Sequence, residues 1–265
     1  MTATSTAAGT WLHEAAMVLA RVAESQAEGI ETASRWCAEA IAADGLVHLF
    51  GTGHSRIPVE EMFPRYGSYP GFNPIVELSM TFHTQVVGTN GQRQAMFIER
   101  VPGLAEVILS NFRFGAHDVM MIFSASGLTA VPVEMARGAS ARGLRVIAVT
   151  SVAQSLSAEP EPAAGQRLLE VADLVLDVCS PAADAMVTLA GLDTPVGPGS
   201  TVGAVAIVNA IKVRTAELLV KEGAMPPVLA RASAVGAERS RALFDEAYRE
   251  HSRRLARAID QSGGG

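Results

Sequence analysis

The sequence predicts an α/β fold in which a parallel sheet is covered by helices on both faces. Three observations predict it. Five short, mostly apolar segments read as strands and alternate with helical segments, the pattern of parallel strands buried on both sides. Hydrophobic residues make up 49% of the 265 residues and charged residues 18%, which excludes disorder as the overall state and supplies a sizeable core. Aromatics are only 5% while glycines number 24. The core is therefore built from small and aliphatic side chains packed closely, unlike an aromatic-rich sandwich.

Residues 10–43 read as helix, with Thr10 as N-cap and Gly45 as the stop. Trp11, Ala15, Val18 and Val22 share one face, as do Ile30, Ala33, Cys37 and Ile41. Gly29 marks a bend or break. Residues 46–50 form the first strand and run into Gly51-Thr52-Gly53; a helix follows over 55–63. The second strand is placed at 74–77, and 78–100 stays unassigned. A helix over 102–112 carries Pro102 near its first turn. The strand 119–123 ends in Ser124-Ala125-Ser126-Gly127. The helix 130–141 admits Pro132 only in its first turn. A strand over 145–150, a loop over 155–166, a strand over 174–178 and a Gly/Pro-rich loop over 191–199 follow. A long apolar helix spans 200–221, and a charged helix fills 230–259 after Pro226 and Pro227.

The formal net charge is −6, and only Lys212 and Lys221 among the 21 basic residues are lysines. A nucleic-acid partner is not expected, because phosphate backbones are bound by concentrated positive charge. Cys37 and Cys179 lie far apart without a CxxC or Cys/His cluster. No metal and no cofactor is expected, and both cysteines read as buried thiols of a reducing cytosol. The N-terminal residues have neither a basic region nor an apolar core, and the longest clean apolar run is 202–208. That is far short of the roughly 18 residues of a membrane helix, so the expectation is a cytoplasmic protein with no membrane partner.

Ligands of open α/β sheets bind outside the carboxyl ends of the strands. Two such ends stand out, Gly51-Thr52-Gly53-His54-Ser55 and Ser124-Ala125-Ser126-Gly127-Leu128-Thr129. Each places glycines and hydroxyls between a strand and a helix N-terminus, where backbone N–H groups and hydroxyls hold an anion. Facing each other, they would hold one phosphorylated ligand without lysine. A dinucleotide fold is the alternative: Gly51-x-Gly53 is half of G-x-G-x-x-G, and Glu77 stands where a ribose-binding acid would. Arg56, however, occupies the third glycine position. A Walker loop is absent.

The pair G-T-G-H-S and S-x-S-G-x-T resembles the sugar isomerase (SIS) domain. The resemblance extends to Asn73-Pro74-Ile75-Val76-Glu77, to residues 130–136 and to Val196-Gly197-Pro198-Gly199-Ser200-Thr201, and covers about 30–225. It is nearest to uncharacterised SIS-domain phosphosugar-binding proteins. It implies a five-stranded parallel sheet in a three-layer, flavodoxin-like αβα sandwich. Residues 46–225 would form the phosphosugar-binding domain, 1–45 an N-terminal helical extension, and 226–265 a C-terminal helix and tail.

In glucosamine-6-phosphate synthase the S-x-S-G-x-T loop holds the sugar phosphate, which implies that role for Ser124, Ser126, Gly127 and Thr129. Ala125 stands where the family often has Asn or Gln, so one side-chain donor is lost. Ser55 of the first loop, with Gly51, Gly53 and His54, and the pair Ser200 and Thr201 are implied to meet the ligand. Gly199-Ser200-Thr201 is also a good helix cap, and capping alone would account for the pair. For acid–base work the resemblance points to His83, similar to a histidine of arabinose-5-phosphate isomerase, and Glu77 is the best carboxylate. Glu60, Glu61 and Glu134 read as solvated helical acids, and Asp184 and Asp193 as loop acids near the mouth. The implied function is binding of a sugar phosphate with aldose–ketose isomerisation or a related lyase reaction; the alternative is a non-catalytic phosphosugar sensor. Self-association as a homodimer or tetramer is expected.

Overall fold

The computed structural model describes residues 6–81 and 91–259. Five strands, β1 (Val47–Gly51), β2 (Phe72–Ile75), β3 (Val119–Phe123), β4 (Arg145–Thr150) and β5 (Leu174–Asp177), form one parallel sheet in the order β2-β1-β3-β4-β5. This is the doubly wound, flavodoxin-like order. It reverses direction beside β1, between β1 and β3, and so opens a crevice at their carboxyl ends.

Alternation along the buried strands separates two cores. On one face Leu49, Met121, Phe123, Val149 and Leu176 meet α2 (Ala27–Ala42) and the long helix Ser200–Lys221. On the other, Phe50, Met120, Ile122 and Ala148 meet the helices Leu104–Leu109 and Ala130–Ala141. Numbered in chain order, the helices are α1 (Ala7–Ser25), α2, α3 (Ile57–Met62), α4 (Leu78–Thr81), α5 (Gly91–Ile98), α6 (Leu104–Leu109), α7 (Ala130–Ala141), α8 (Val152–Leu156), α9 (Leu168–Val171), α10 (Ser200–Lys221), α11 (Ala232–Val235) and α12 (Ala237–Ile259). Among the described residues no helix is long and apolar enough to cross a membrane.

Several elements differ from the sequence expectation. The helix expected over 10–43 is two helices, divided at Gln26 rather than at Gly29. Gln26 leaves helical geometry at ψ 6° and turns its amide oxygen to accept the Asp177 N–H at 2.9 Å. Gly29 instead lets α2 lie against β5, since a Cβ there would stand 2.6 Å from Leu176 Cδ2. Thr6, not Thr10, is the N-cap, its hydroxyl accepting from the Gly9 N–H. The helix expected over 55–63 begins as a 3₁₀ turn, Gly53–Arg56, because Pro58 has no N–H to bond back to His54.

The second strand runs Phe72–Ile75 and ends before Glu77. Asn73 is a buried strand residue because its amide donates to His48 Nδ1 at 3.0 Å. The helix α6 starts after Pro102, with Gly103 left-handed at its N-cap. Residues 155 and 156 complete α8 rather than opening a loop. Within the expected loop 191–199, β7 (Val196–Pro198) pairs antiparallel with β6 (Ala185–Val187). The charged C-terminal segment is split by Gly236. Cys37 is a buried thiol, pushed up to about 12 by burial, but Cys179 is only half-buried.

Candidate functional site

Both glycine- and hydroxyl-bearing loops end at the same crevice. Gly51 lets the first loop fold back on itself, since a Cβ there would lie 2.4 Å from the Ser55 carbonyl oxygen. The second loop is pinned on all sides. The Ala125 carbonyl accepts from Ser151 N at 3.0 Å and Thr150 Oγ1 at 3.1 Å, the Gly127 N–H donates to Ser124 Oγ at 3.1 Å, and the Gly127 carbonyl accepts from Leu168 N at 2.8 Å. Gly127 is left-handed at φ 62°, and a Cβ would press on Leu168.

His54, Ser55, Ser124 and Ala125 line a cleft with two lobes. The polar lobe, 320 Å³, adds Thr52, Gly53, Ser126, Thr129, Gln154 and Glu99. The apolar lobe, 140 Å³, adds Pro58, Phe123, Val149, Val178 and Ala204, with Asp184, Ser200 and Thr201 at its polar side. Neither lobe is lined by lysine or arginine among the described residues.

The polar lobe lies over the N-terminus of α7. Thr129 holds the N-cap position with extended backbone, yet its side chain makes no capping bond. In the first turn the Val131 N–H is spent on the Glu99 carbonyl at 2.9 Å, and Pro132 has no N–H. The positive end of the helix dipole remains, and the Ser126 and Thr129 hydroxyls, without a protein partner among the described residues, are the additional donors. Ser124 is different: its oxygen already accepts from Gly127, leaving its proton to donate outward.

Glu99, unmarked in the sequence, is the acid of this lobe. It sits just beyond α5, and its carboxylate accepts the Thr52 hydroxyl at 2.7 Å. Burial raises its pKa; the Thr52 bond and Arg100 work against that, and Glu161 adds to it. A carboxyl that holds its proton more tightly than usual, in a cleft, is suited to proton transfer. Gln154 is the second residue not foreseen; its amide oxygen is buried without a partner.

The expected residues divide as follows. Gly53, His54, Ser55, Ser124, Ser126, Thr129, Ser200 and Thr201 line the cleft, while Gly51 and Gly127 shape its two loops. Ser200 is committed to Asp184, to which its N–H and hydroxyl both donate, at 2.7 and 3.0 Å; it is the first residue of α10, and Gly199 holds the N-cap position without a side-chain capping bond. Glu77 lines neither lobe. It opens α4, its carbonyl accepting from Met80 N. His83 lies outside the described residues. Glu134 accepts from the Gly103 N–H, Glu60 pairs with Arg56, and Glu61 pairs with Arg65 and buried Lys212. Asp193 is exposed and lines neither lobe.

Residues 10–151 match the family model described as the SIS domain. The chain is 34% identical to a UPF0309 protein of Streptomyces coelicolor over 92% of this chain and 95% of that one. It is 31% identical to a UPF0309 protein of Listeria innocua over 86% and 91% of the two chains. Among solved structures, phosphoheptose isomerase from Neisseria gonorrhoeae is similar with a TM-score of 0.47 and 14% identity, over 77% of this chain and 94% of that one. With two strand-end loops meeting in one cleft and the family model spanning both, the chain belongs to the SIS-domain family.

Proposed function

We propose that the cleft binds a phosphorylated sugar, with the phosphate in the polar lobe over the N-terminus of α7, and that Glu99 transfers a proton in an aldose–ketose isomerisation or a related lyase reaction. SIS-family membership supports a phosphosugar-binding role of the isomerase type. The observation that carries the reading is the convergence of Ser126, Thr129 and Glu99 on one lobe. Two hydroxyls and a helix N-terminus supply donors to an anion. A carboxyl of raised pKa beside them takes a proton from one sugar carbon as carboxylate and returns it to the next as acid. Thr52 holds the carboxylate oriented between the two steps. Glu99 takes the place given to Glu77 as the carboxylate, and His83 is kept as the second acid–base group.

The test is a panel of aldose and ketose phosphates followed by titration calorimetry and by solvent-deuterium incorporation at the carbon next to the carbonyl. Binding with exchange supports the enzyme; binding of the panel without exchange or turnover supports the sensor instead. Self-association as a homodimer or tetramer belongs to the same proposal. It is supported by exposed Leu78 and Phe97 on the touching helices α4 and α5, and sedimentation equilibrium checks it.

A further inference from the structure

The phosphate and the ring hydroxyls of a sugar do not account for the apolar lobe. Its walls are Pro58, Phe123, Val149, Val178 and Ala204, which offer a hydroxyl nothing to bond. A sugar hydroxyl pressed into them would lose its water without compensation. The lobe measures 140 Å³, close to the ~150 Å³ of apolar cavities that take a benzene-sized guest. It is therefore large enough for a substituent of several heavy atoms.

One side of the lobe is polar, and its chemistry is restrictive. Asp184 Oδ1 accepts from the Gly199 N–H at 3.2 Å and the Ser200 N–H at 2.7 Å, and Oδ2 accepts from the Ser200 hydroxyl at 3.0 Å. Oδ2 keeps one acceptor site. Asp184 already occupies the N-terminus of α10 as its anion by accepting the Gly199 and Ser200 N–H groups, so with no lysine or arginine lining the lobe among the described residues a second anion such as a carboxylate is repelled. The Thr201 hydroxyl has no protein partner among the described residues and can donate. A guest that fits these conditions has an apolar end for the walls, a donor for Asp184 and an acceptor for Thr201, and is not an anion; the apolar walls disfavour a charged head among them.

We propose that the apolar lobe is a specificity pocket for a neutral acylamino substituent on the sugar phosphate. The acyl carbon chain lies against Phe123, Val149, Val178 and Ala204, the amide N–H faces Asp184, and the carbonyl oxygen faces Thr201. This rests on the polar lobe as the phosphate site, since the two lobes share His54, Ser55, Ser124 and Ala125. A site that hydrogen-bonds one substituent rejects the analogue lacking it.

The experiment is titration calorimetry of the full chain with N-acetylated glucosamine, galactosamine and mannosamine phosphates, each as 1- and 6-phosphate, against the parent hexose phosphates. The expected result is that at least one acylated sugar binds at least about tenfold more tightly than its parent. Ala204→Leu, which fills the lobe, removes that preference, and Thr201→Val reduces it while keeping the side-chain shape. Equal affinity for every pair, tighter binding of the parents, or an acyl preference that survives Ala204→Leu overturns the proposal while leaving the phosphate site standing. Binding of no sugar phosphate at all overturns the phosphosugar reading and this proposal together.

Discussion

The Thr52 hydroxyl donates a 2.7 Å hydrogen bond to Glu99 Oε2 in the wall of the polar lobe. The bond joins the loop after β1 to the residue following α5, and it orients the acid of the cleft.

Glu99→Gln keeps an oxygen for Thr52 and removes the proton-transfer group. Turnover is expected to fall by about 10²–10⁴-fold, with sugar-phosphate affinity little changed. The pH dependence of stability gives a second readout. The folded-state pKa of Glu99 is raised by burial, so the folded chain holds the proton more tightly than the unfolded chain. Stability therefore declines as pH rises from the unfolded carboxyl pKa through the folded one. Glu99→Gln lacks that decline, so its stability relative to the natural chain rises across this window and then levels off. Denaturant midpoints at stepped pH check it; parallel curves for the two proteins contradict it.

The double variant Ser126→Ala, Thr129→Val removes two hydroxyl donors from the polar lobe. A hydrogen bond to a charged group is worth about 1.5–3 kcal/mol, so affinity for a sugar phosphate is expected to drop at least about tenfold. Thr129 makes no side-chain capping bond, so the thermal midpoint moves little. Calorimetry and a melting curve together separate lost binding from lost folding.

Gly203→Ala tests how closely α10 approaches the sheet. A Cβ at Gly203 would lie 2.0 Å from the Val178 carbonyl oxygen, and backbone cannot swing aside as a side chain can. Overpacking costs about 1–3 kcal/mol, of which better helix propensity returns about 1 kcal/mol. A lower denaturant midpoint is expected, together with weaker ligand binding, because Val178 and Ala204 both line the apolar lobe. An unchanged midpoint contradicts this packing.

Asp44 joins the end of α2 to α12. Bonds from Arg253 and Arg257 outweigh its partial burial and bring its pKa down to about 2. Arg254, buried beside it, donates to the Ile41 and Gly45 carbonyls. A depressed carboxyl stabilises the fold above the unfolded pKa of about 3.9 and loses that stabilisation as pH falls through the folded value. Asp44→Asn is therefore expected to be less stable at neutral pH, with the gap to the natural chain closing between about pH 4 and about 2. Stability curves of both proteins across that range check it.

Much of the scaffold is legible in the sequence because local pattern and tertiary role agree. The helices 130–141 and 200–221 and the strands 119–123 and 145–150 occupy the residues their apolar periodicity indicates. Legibility ends where a distant residue decides. Asn73 falls just outside the strand placed at 74–77, yet His48 satisfies it inside the sheet. Gly29 reads as a helix break, yet it answers to Leu176 of β5. The two loops of the cleft carry their own glycines and hydroxyls and so announce themselves. Glu99 does not: its raised pKa arises from burial and its orientation from Thr52, 47 residues earlier, and no local pattern distinguishes it from a solvated acid. Ser200 shows the reverse, a hydroxyl in a suggestive motif whose proton is held by Asp184.

The most direct test of the central claim is titration calorimetry of the purified chain with a sugar phosphate from the panel and, in parallel, with the same sugar lacking the phosphate. The expected result is saturable binding of the phosphorylated sugar, none of its parent at the same concentrations, and competition by inorganic phosphate. Equal binding of both, or a phosphorylated sugar that binds undiminished to the Ser126→Ala, Thr129→Val variant, would contradict a phosphate seated at the N-terminus of α7.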